Sequence, residues 1–255
     1  IRIQSIKGDM NWTPTQVCRH PKDFVGSVDV VIVSTKNIPG DGVCDSIAPL
    51  IGPSTTILLI QNGMFIEVPY KLRYPSTPIL SGLAFICVSR VFPGGLNHSD
   101  YGMITIGLHP EGASDLAASL ASLWKESGVK CILSPTIQKN RWEKLIWNAP
   151  FNPLSLLNNG RTTQEILEQD LPRVKAIMSE VMQLALIEGY PLDPNIMELK
   201  INQTAEMTPY KTSMLLDFES KRPIELDAIL SAPIAFGEKN GVALPEMKRL
   251  YEAVL

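Results

Sequence analysis

Lys144, Asn148 and Asn152 recur every fourth residue within Arg141–Ser155 (RWEKLIWNAPFNPLS). On a helix that spacing sets an amine and two amides along one face. An ammonium can donate a proton, and neutral amides can orient a polar ligand without adding charge beside it. A solvated polar stripe would use the same spacing for a lone lysine. The asparagines weigh against it. Asn is a mediocre helix former, and two of them among Trp147, Pro150 and Phe151 suggest buried amides with assigned hydrogen bonds. Pro150 and Pro153 each remove an amide donor and leave a carbonyl unpaired, so a kinked helix here could wall a polar site.

A second polar group lies in Ser213–Asp227 (SMLLDFESKRPIELD), where Ser213 and Asp217 share a helix face at i, i+4. Glu225 is expected in the first turn of a helix opened by Pro223, where the dipole stabilises a carboxylate. Surface charge and capping would give the same pattern. Lys36 and Asn62 form a third group, each just past a strand, in Thr35-Lys36-Asn37 and Gln61-Asn62-Gly63. Ligands of open parallel sheets lie beyond the carboxyl ends of strands, although a loop lysine and an Asn-Gly turn are also common in themselves.

The elements that would carry these residues follow from the patterning. Val28–Ser34 and Thr55–Ile60 are continuous apolar runs, read as parallel strands buried on both faces, with a short helix over Gly42–Leu50 between them. Ile79–Val88, Leu96–His98 and Met103–Gly107 read as further strands, with a hairpin turn at Gly94-Gly95. Ser114 caps a helix that stops at Gly128. Beyond Ser134-Pro135 the texture is helical: Ile137–Leu157, Thr163–Glu188, Ser213–Ser220, Ile224–Lys239 and Pro245–Leu255. The expected domains are therefore a sheet domain over 1–133 and an all-helical domain over 134–255.

Composition narrows the function classes. The chain has 255 residues, 45% hydrophobic and 19% charged, with 23 basic against 26 acidic side chains and a formal charge of -3. That balance suits a globular protein and argues against a sequence-independent grip on nucleic acid. The longest apolar stretch is too short to span a bilayer. Cys18, Cys44, Cys87 and Cys131 stand far apart and the three histidines lack ligand spacing, so no metal site is expected and the thiols read as reduced. Gly40-Asp41-Gly42 does not make a dinucleotide fingerprint. It trails its strand by several residues and puts Asp45 where a third glycine belongs, so it reads as a turn.

VVIVSTK, LLIQNGM, RWEKLIWNAPFNPLS and SMLLDFESKRPIELD, in this order, resemble the signature segments of the ketopantoate (2-dehydropantoate 2-) reductase family from about Val28 onward. The resemblance implies a truncated Rossmann-type parallel sheet domain followed by a helical domain like that of the 6-phosphogluconate dehydrogenases, with an active site in the cleft between them. It implies NADPH-dependent reduction of a 2-keto acid, with Lys144 as general acid toward the keto oxygen. Glu225 would orient this lysine and the cofactor ribose. Asn148, Asn152, Ser213, Asp217 and Thr162 would form the substrate pocket, and Lys36 and Asn62 would lie by the cofactor. Hydride reaching a carbonyl carbon drives negative charge onto oxygen, and a proton donor there lowers the barrier. Burial can bring a lysine pKa toward the working pH.

The chain departs from the family pattern in two places. The opening strand, glycine turn and 2′-phosphate-selecting residue are absent and expected upstream of Ile1. An asparagine of the family, three residues before Ser213, is Tyr210 here. A cytoplasmic location, a homodimer and a small-molecule substrate complete the expectation. The alternatives are a relative that binds or isomerises another small molecule without nicotinamide, and an interaction protein using the polar face as a subunit contact.

Overall fold

The computed structural model describes residues 1–255. The chain divides into two compact units, one of Ile1–Ser34, Gly42–Ile60 and Glu67–Ile137, the other of Thr35–Asp41, Gln61–Ile66 and Gln138–Leu255.

The first unit is a seven-stranded mixed sheet in the order β2-β1-β6-β5-β4-β3, with β7 also on β6. The strands are β1 (Arg2–Ser5), β2 (Met10–Asn11), β3 (Val30–Val33), β4 (Thr56–Leu59), β5 (Ile79–Phe92), β6 (Gly95–Leu108) and β7 (Lys130–Leu133). β3, β4 and β5 run parallel, with Val31 opposite Ile57 and Leu58 opposite Leu80. All four residues of β4 are buried, as a continuous apolar run in a parallel sheet requires. The expected helix between β3 and β4 is α1 (Val43–Ser46), followed by a 3-10 turn over Ala48–Leu50. Gly40 and Gly42 take φ of +76° and +70°, so this segment is a turn into α1. Helix α2 (Val68–Arg73) follows β4.

The hairpin expected at Gly94-Gly95 joins β5 and β6, two 14-residue antiparallel strands, so the sheet, parallel over β3, β4 and β5, is mixed. The separate strands expected at Leu96–His98 and Met103–Gly107 are one strand, carried past Tyr101 by register shifts. Helix α3 (Asp115–Glu126) opens as expected, with the Ser114 hydroxyl accepting from the Ala117 amide, and ends ahead of Gly128 at φ +79°. Leu58, Leu80, Ile104, Ile106 and Ala117 are the buried centre of this unit.

The second unit is helical: α4 (Ile137–Leu154), α5 (Thr163–Ile187), α6 (Ile196–Glu206), α7 (Ser213–Glu219), α8 (Ala232–Lys239) and α9 (Pro245–Val254). α4 runs through Pro150 and Pro153. The donors these prolines lack would have bonded the Ile146 and Ala149 carbonyls, four residues back. α5 is amphipathic as expected, but Asp170 is non-helical (φ -130°, ψ 19°) two residues before Pro172. The ring removes a donor and crowds the preceding turn. The helix expected from Pro223 begins later. Ile224 and Glu225 are non-helical, and a five-residue π-helical stretch, Asp227–Ser231, leads into α8. Trp142, Ile146, Phe151, Ile177, Val181, Leu230 and Met247 are among the fully buried residues of this core. No helix is long and apolar enough to cross a membrane.

Candidate functional site

The rotation of α4 about its axis is fixed by what it buries. Trp142, Leu145, Ile146 and Ala149 are almost completely enclosed, which at helical spacing commits one face to the core. The Trp142 indole donates to Glu188 Oε2 at 2.5 Å, and the Gln138 amide donates to both oxygens of the same carboxylate at 3.1 and 3.0 Å. With that face held, Arg141, Lys144 and Asn148 fall together on a polar one.

Lys144 is partly buried and donates from Nζ to Asn62 Oδ1 at 2.8 Å. The Asn62 amide nitrogen donates to Glu225 Oε2 at 3.3 Å, and Glu225 Oε1 accepts from the Asn37 backbone N–H at 3.0 Å. Asn62 thus bridges an amine and a carboxylate, using its acceptor for one and its donor for the other. Desolvation, and after it the neighbouring Arg141 charge, lower the Lys144 pKa from the usual 10.5 to about 8, against the opposing pull of Glu225. An amine with that pKa exchanges protons near neutrality.

The Asn62 turn is tied down on both sides. Gly63 has φ +91°, and a Cβ there would lie 2.4 Å from Ala228 Cβ and 2.5 Å from the Ala228 carbonyl oxygen. No other residue type fits both the conformation and the space. The Met64 N–H donates to that same carbonyl at 2.9 Å. Ala228 lies in the π-helical stretch, where widening of the helical bonding leaves an acceptor for an outside partner. On the opposite side Arg141, 1% exposed, donates from Nη1 to the Gln61 and Gly63 carbonyls at 3.0 and 3.1 Å. Phe65 packs against Trp142 and Phe236 at ring separations of 6.1 and 5.1 Å.

The remaining expected residues separate into three groups. Lys36 and Asp217 pair with each other at 2.6 Å; Lys36 also donates to the Pro223 carbonyl at 2.8 Å, and Arg222 donates to Asp217 at 2.9 Å. Asn148 and Asn152 are buried on α4 (5% and 3% exposed), and Asn152 Oδ1 has no hydrogen-bond partner within the chain. A buried amide oxygen without a donor is costly unless a ligand or water supplies one. Ser213 is exposed at the first position of α7, beside Thr212, whose hydroxyl caps that helix and meets Ser155 Oγ at 2.7 Å. Thr162 is engaged elsewhere: it is the N-cap of α5 in a reciprocal capping box with Glu165.

Two contributors were not singled out from sequence. Arg141 stands three residues before Lys144 and seven before Asn148, so the face that drew attention to the lysine also contained it. Asn37 contributes a backbone N–H, for which side-chain identity gives no signal.

Comparison with known proteins gives a consistent result. The family described as ketopantoate reductase PanE/ApbA matches residues 1–111, and its C-terminal counterpart matches residues 136–255. A 2-dehydropantoate 2-reductase of Nostoc sp. is 31% identical over 230 residues, 88% of this chain and 72% of that protein. The crystal structure of 2-dehydropantoate 2-reductase from Methylococcus capsulatus superposes with a TM-score of 0.94 at 37% identity, covering 99% of this chain and 82% of that one. A D-mandelate dehydrogenase in a ternary structure with NADH and anilino(oxo)acetate shares the fold at a TM-score of 0.88 and 23% identity, over 100% of this chain and 83% of its own.

Proposed function

The chain belongs to the ketopantoate reductase family, and from that premise we propose that it reduces a 2-keto acid, 2-dehydropantoate or a close analogue, with NADPH and with Lys144 as the proton donor. It is an oxidoreductase of the 2-dehydropantoate 2-reductase kind. The observation that carries the finer reading is the Lys144 ammonium. It is desolvated to a pKa of about 8 and aimed by a neutral amide, on the helix that also carries Asn148 and Asn152.

In this reading residues 1–133 form the nucleotide-binding domain and 134–255 the substrate domain. Lys144 hydrogen-bonds the keto oxygen and gives its proton to the developing alkoxide, and Asn62 and Glu225 hold its Nζ in line. Asn148 and Asn152 bind the substrate's polar groups. The unpartnered Asn152 Oδ1 suits a hydroxyl donor, and neutral amides avoid repelling a carboxylate. Ser213, exposed at the α7 start, offers a further hydroxyl. Asp217 acts through Lys36, and Thr162 acts at a distance by capping α5.

The donor set also suits a nicotinamide nucleotide, which when bound supplies the hydride. The Lys36 ammonium has three N–H groups against two protein acceptors, and each Glu225 oxygen retains a lone pair beyond its one protein donor. Lys36 would thus donate to a ribose oxygen, and Glu225 would accept from a ribose hydroxyl. The D-mandelate dehydrogenase complex with NADH supports a nicotinamide cofactor and widens the substrate class to bulkier 2-oxo acids. Homodimerisation belongs to the same reading; a ketopantoate reductase from Staphylococcus aureus with this fold is dimeric.

The test is NADPH consumption by the natural full-length protein, offered 2-dehydropantoate and a series of bulkier 2-keto acids. Turnover with one of them, abolished in Lys144→Met, is expected. NADPH left unconsumed with every 2-keto acid overturns the reading.

A further inference from the structure

The two carbonyls that flank Asn62 in sequence, those of Gln61 and Gly63, both accept from one guanidinium nitrogen of Arg141. Arg141 is 1% exposed, so this cation is buried at the cost of its hydration. A buried charge needs a structural return, and here it is placement. The planar guanidinium stands on a helix whose rotation the core fixes, and its Nη1 reaches the backbone on either side of the bridging residue. The other face of the turn is closed by the Met64 bond to Ala228 and by the absence of a side chain at Gly63.

We propose that Arg141 is a positioning residue for this site: it clamps the Gln61–Gly63 backbone so that the Asn62 amide meets Lys144 and Glu225 at once. The proposal rests on the reading of Lys144 as proton donor. Arg141 also acts through its charge, one helical turn before Lys144 on the same face. The charges acting on Lys144 are Arg141, on its own helix, and Glu225, ahead of the π-helical stretch, and they oppose each other. One residue therefore sets both where the amine's partner stands and how readily the amine releases its proton.

Two substitutions separate these contributions. Arg141→Lys keeps the charge and loses the longer, planar group that places Nη1 between the two carbonyls, whereas Arg141→Met loses both. Each is expected to lower kcat by about 10- to 100-fold with a smaller change in KM, the size that a misplaced catalytic group causes. In Arg141→Met the alkaline limb of the kcat profile should also move to higher pH, while in Arg141→Lys it should stay near that of the unaltered protein. Asn62→Ala in the Arg141→Lys background should add much less loss than it causes alone, because both act through one contact.

A readout without turnover keeps the two readings apart. Lysines are dimethylated with a carbon-13 label, the Lys144 resonance is assigned by its disappearance in Lys144→Met, and its titration is followed by NMR. The midpoint should rise in Arg141→Met even if the protein reduces no 2-keto acid, in which case only the catalytic reading fails. Should Arg141→Met fail to fold, Arg141→Lys and the Asn62 double variant decide the matter. Wild-type kcat and an unchanged Lys144 titration in the Arg141 variants, or full additivity with Asn62→Ala, would overturn the positioning role.

Discussion

Lys36 and Lys144 both belong to the helical unit and both follow from motif reasoning, yet their surroundings differ in kind. Lys36 faces a carboxylate at 2.6 Å and a carbonyl at 2.8 Å. Lys144 donates to a neutral amide at 2.8 Å, with a guanidinium one turn away and part of its hydration lost. A lysine in an ion pair is a salt-bridge cation. A lysine opposite an amide, beside another cation, is a group that can let a proton go. The difference lies in what each chain segment sets opposite the amine: a carboxylate for Lys36 and a neutral amide for Lys144.

That contrast breaks first under substitution. Lys144→Met should cost about 10²- to 10⁴-fold in kcat with the circular dichroism spectrum unchanged, the range expected for removing a general acid. Lys36→Met should cost about tenfold or less, mostly in KM, in keeping with the loss of one partly exposed ion pair. Equal losses at the two positions would erase the distinction. Gly63→Ala sharpens it by displacing the amide while leaving the amine: left-handed strain of about 1–3 kcal/mol adds to the clash with Ala228. The denaturation midpoint should drop, and turnover should fall along with it.

The pH dependence carries the same contrast with a definite sign. With Lys144 as the proposed donor, reduction would need it protonated, so kcat should decline as pH rises through about 8, and the reverse oxidation should gain. Stability runs the other way. Between about 8 and the usual 10.5, the unfolded chain binds more protons than the folded one, so the Lys144 contribution grows with pH across that window. Below about 8 both states hold the proton, and the folded state bears the full cost of burying the ammonium. Denaturant titrations of Lys144→Met should lose this slope. The smallest effect belongs to Thr162→Ala, about 1 kcal/mol of helix capping with kcat unaltered.

Much of this was legible in the sequence, for physical reasons that differ by element. The β4 run and the Ser114–Gly128 helix depend on local signals, continuous burial and paired caps, and the structure has both. Helix spacing alone put Lys144 with Asn148. What spacing could not supply was the pairing of Lys36 with Asp217, 181 positions apart by their residue numbers, or the tie between Asn62 and Glu225. Such contacts are decided by tertiary packing, to which periodicity is blind. The start of the last long helical segment was misplaced because Pro223 is as compatible with an extended approach as with a first turn. The chain stays extended there, and Glu225 keeps both oxygens for Asn37 and Asn62. The capping box at Thr162 was also written plainly, as Thr-x-x-Glu, although the family comparison drew attention to another role.

The widened turn at Asp227–Ser231 has a consequence for how this protein can vary. Everything after it, from Ala232 through the Phe236 ring seated against Phe65, is out of phase by one position with what an unbroken spiral from Leu226 would present. Drawing this stretch into an ordinary spiral at unchanged length would swing the downstream side chains by roughly a hundred degrees. Phe236 would leave its neighbours, and the Ala228 oxygen would turn back into its own coil. The widening of this short stretch is therefore as constrained as any side chain at the site.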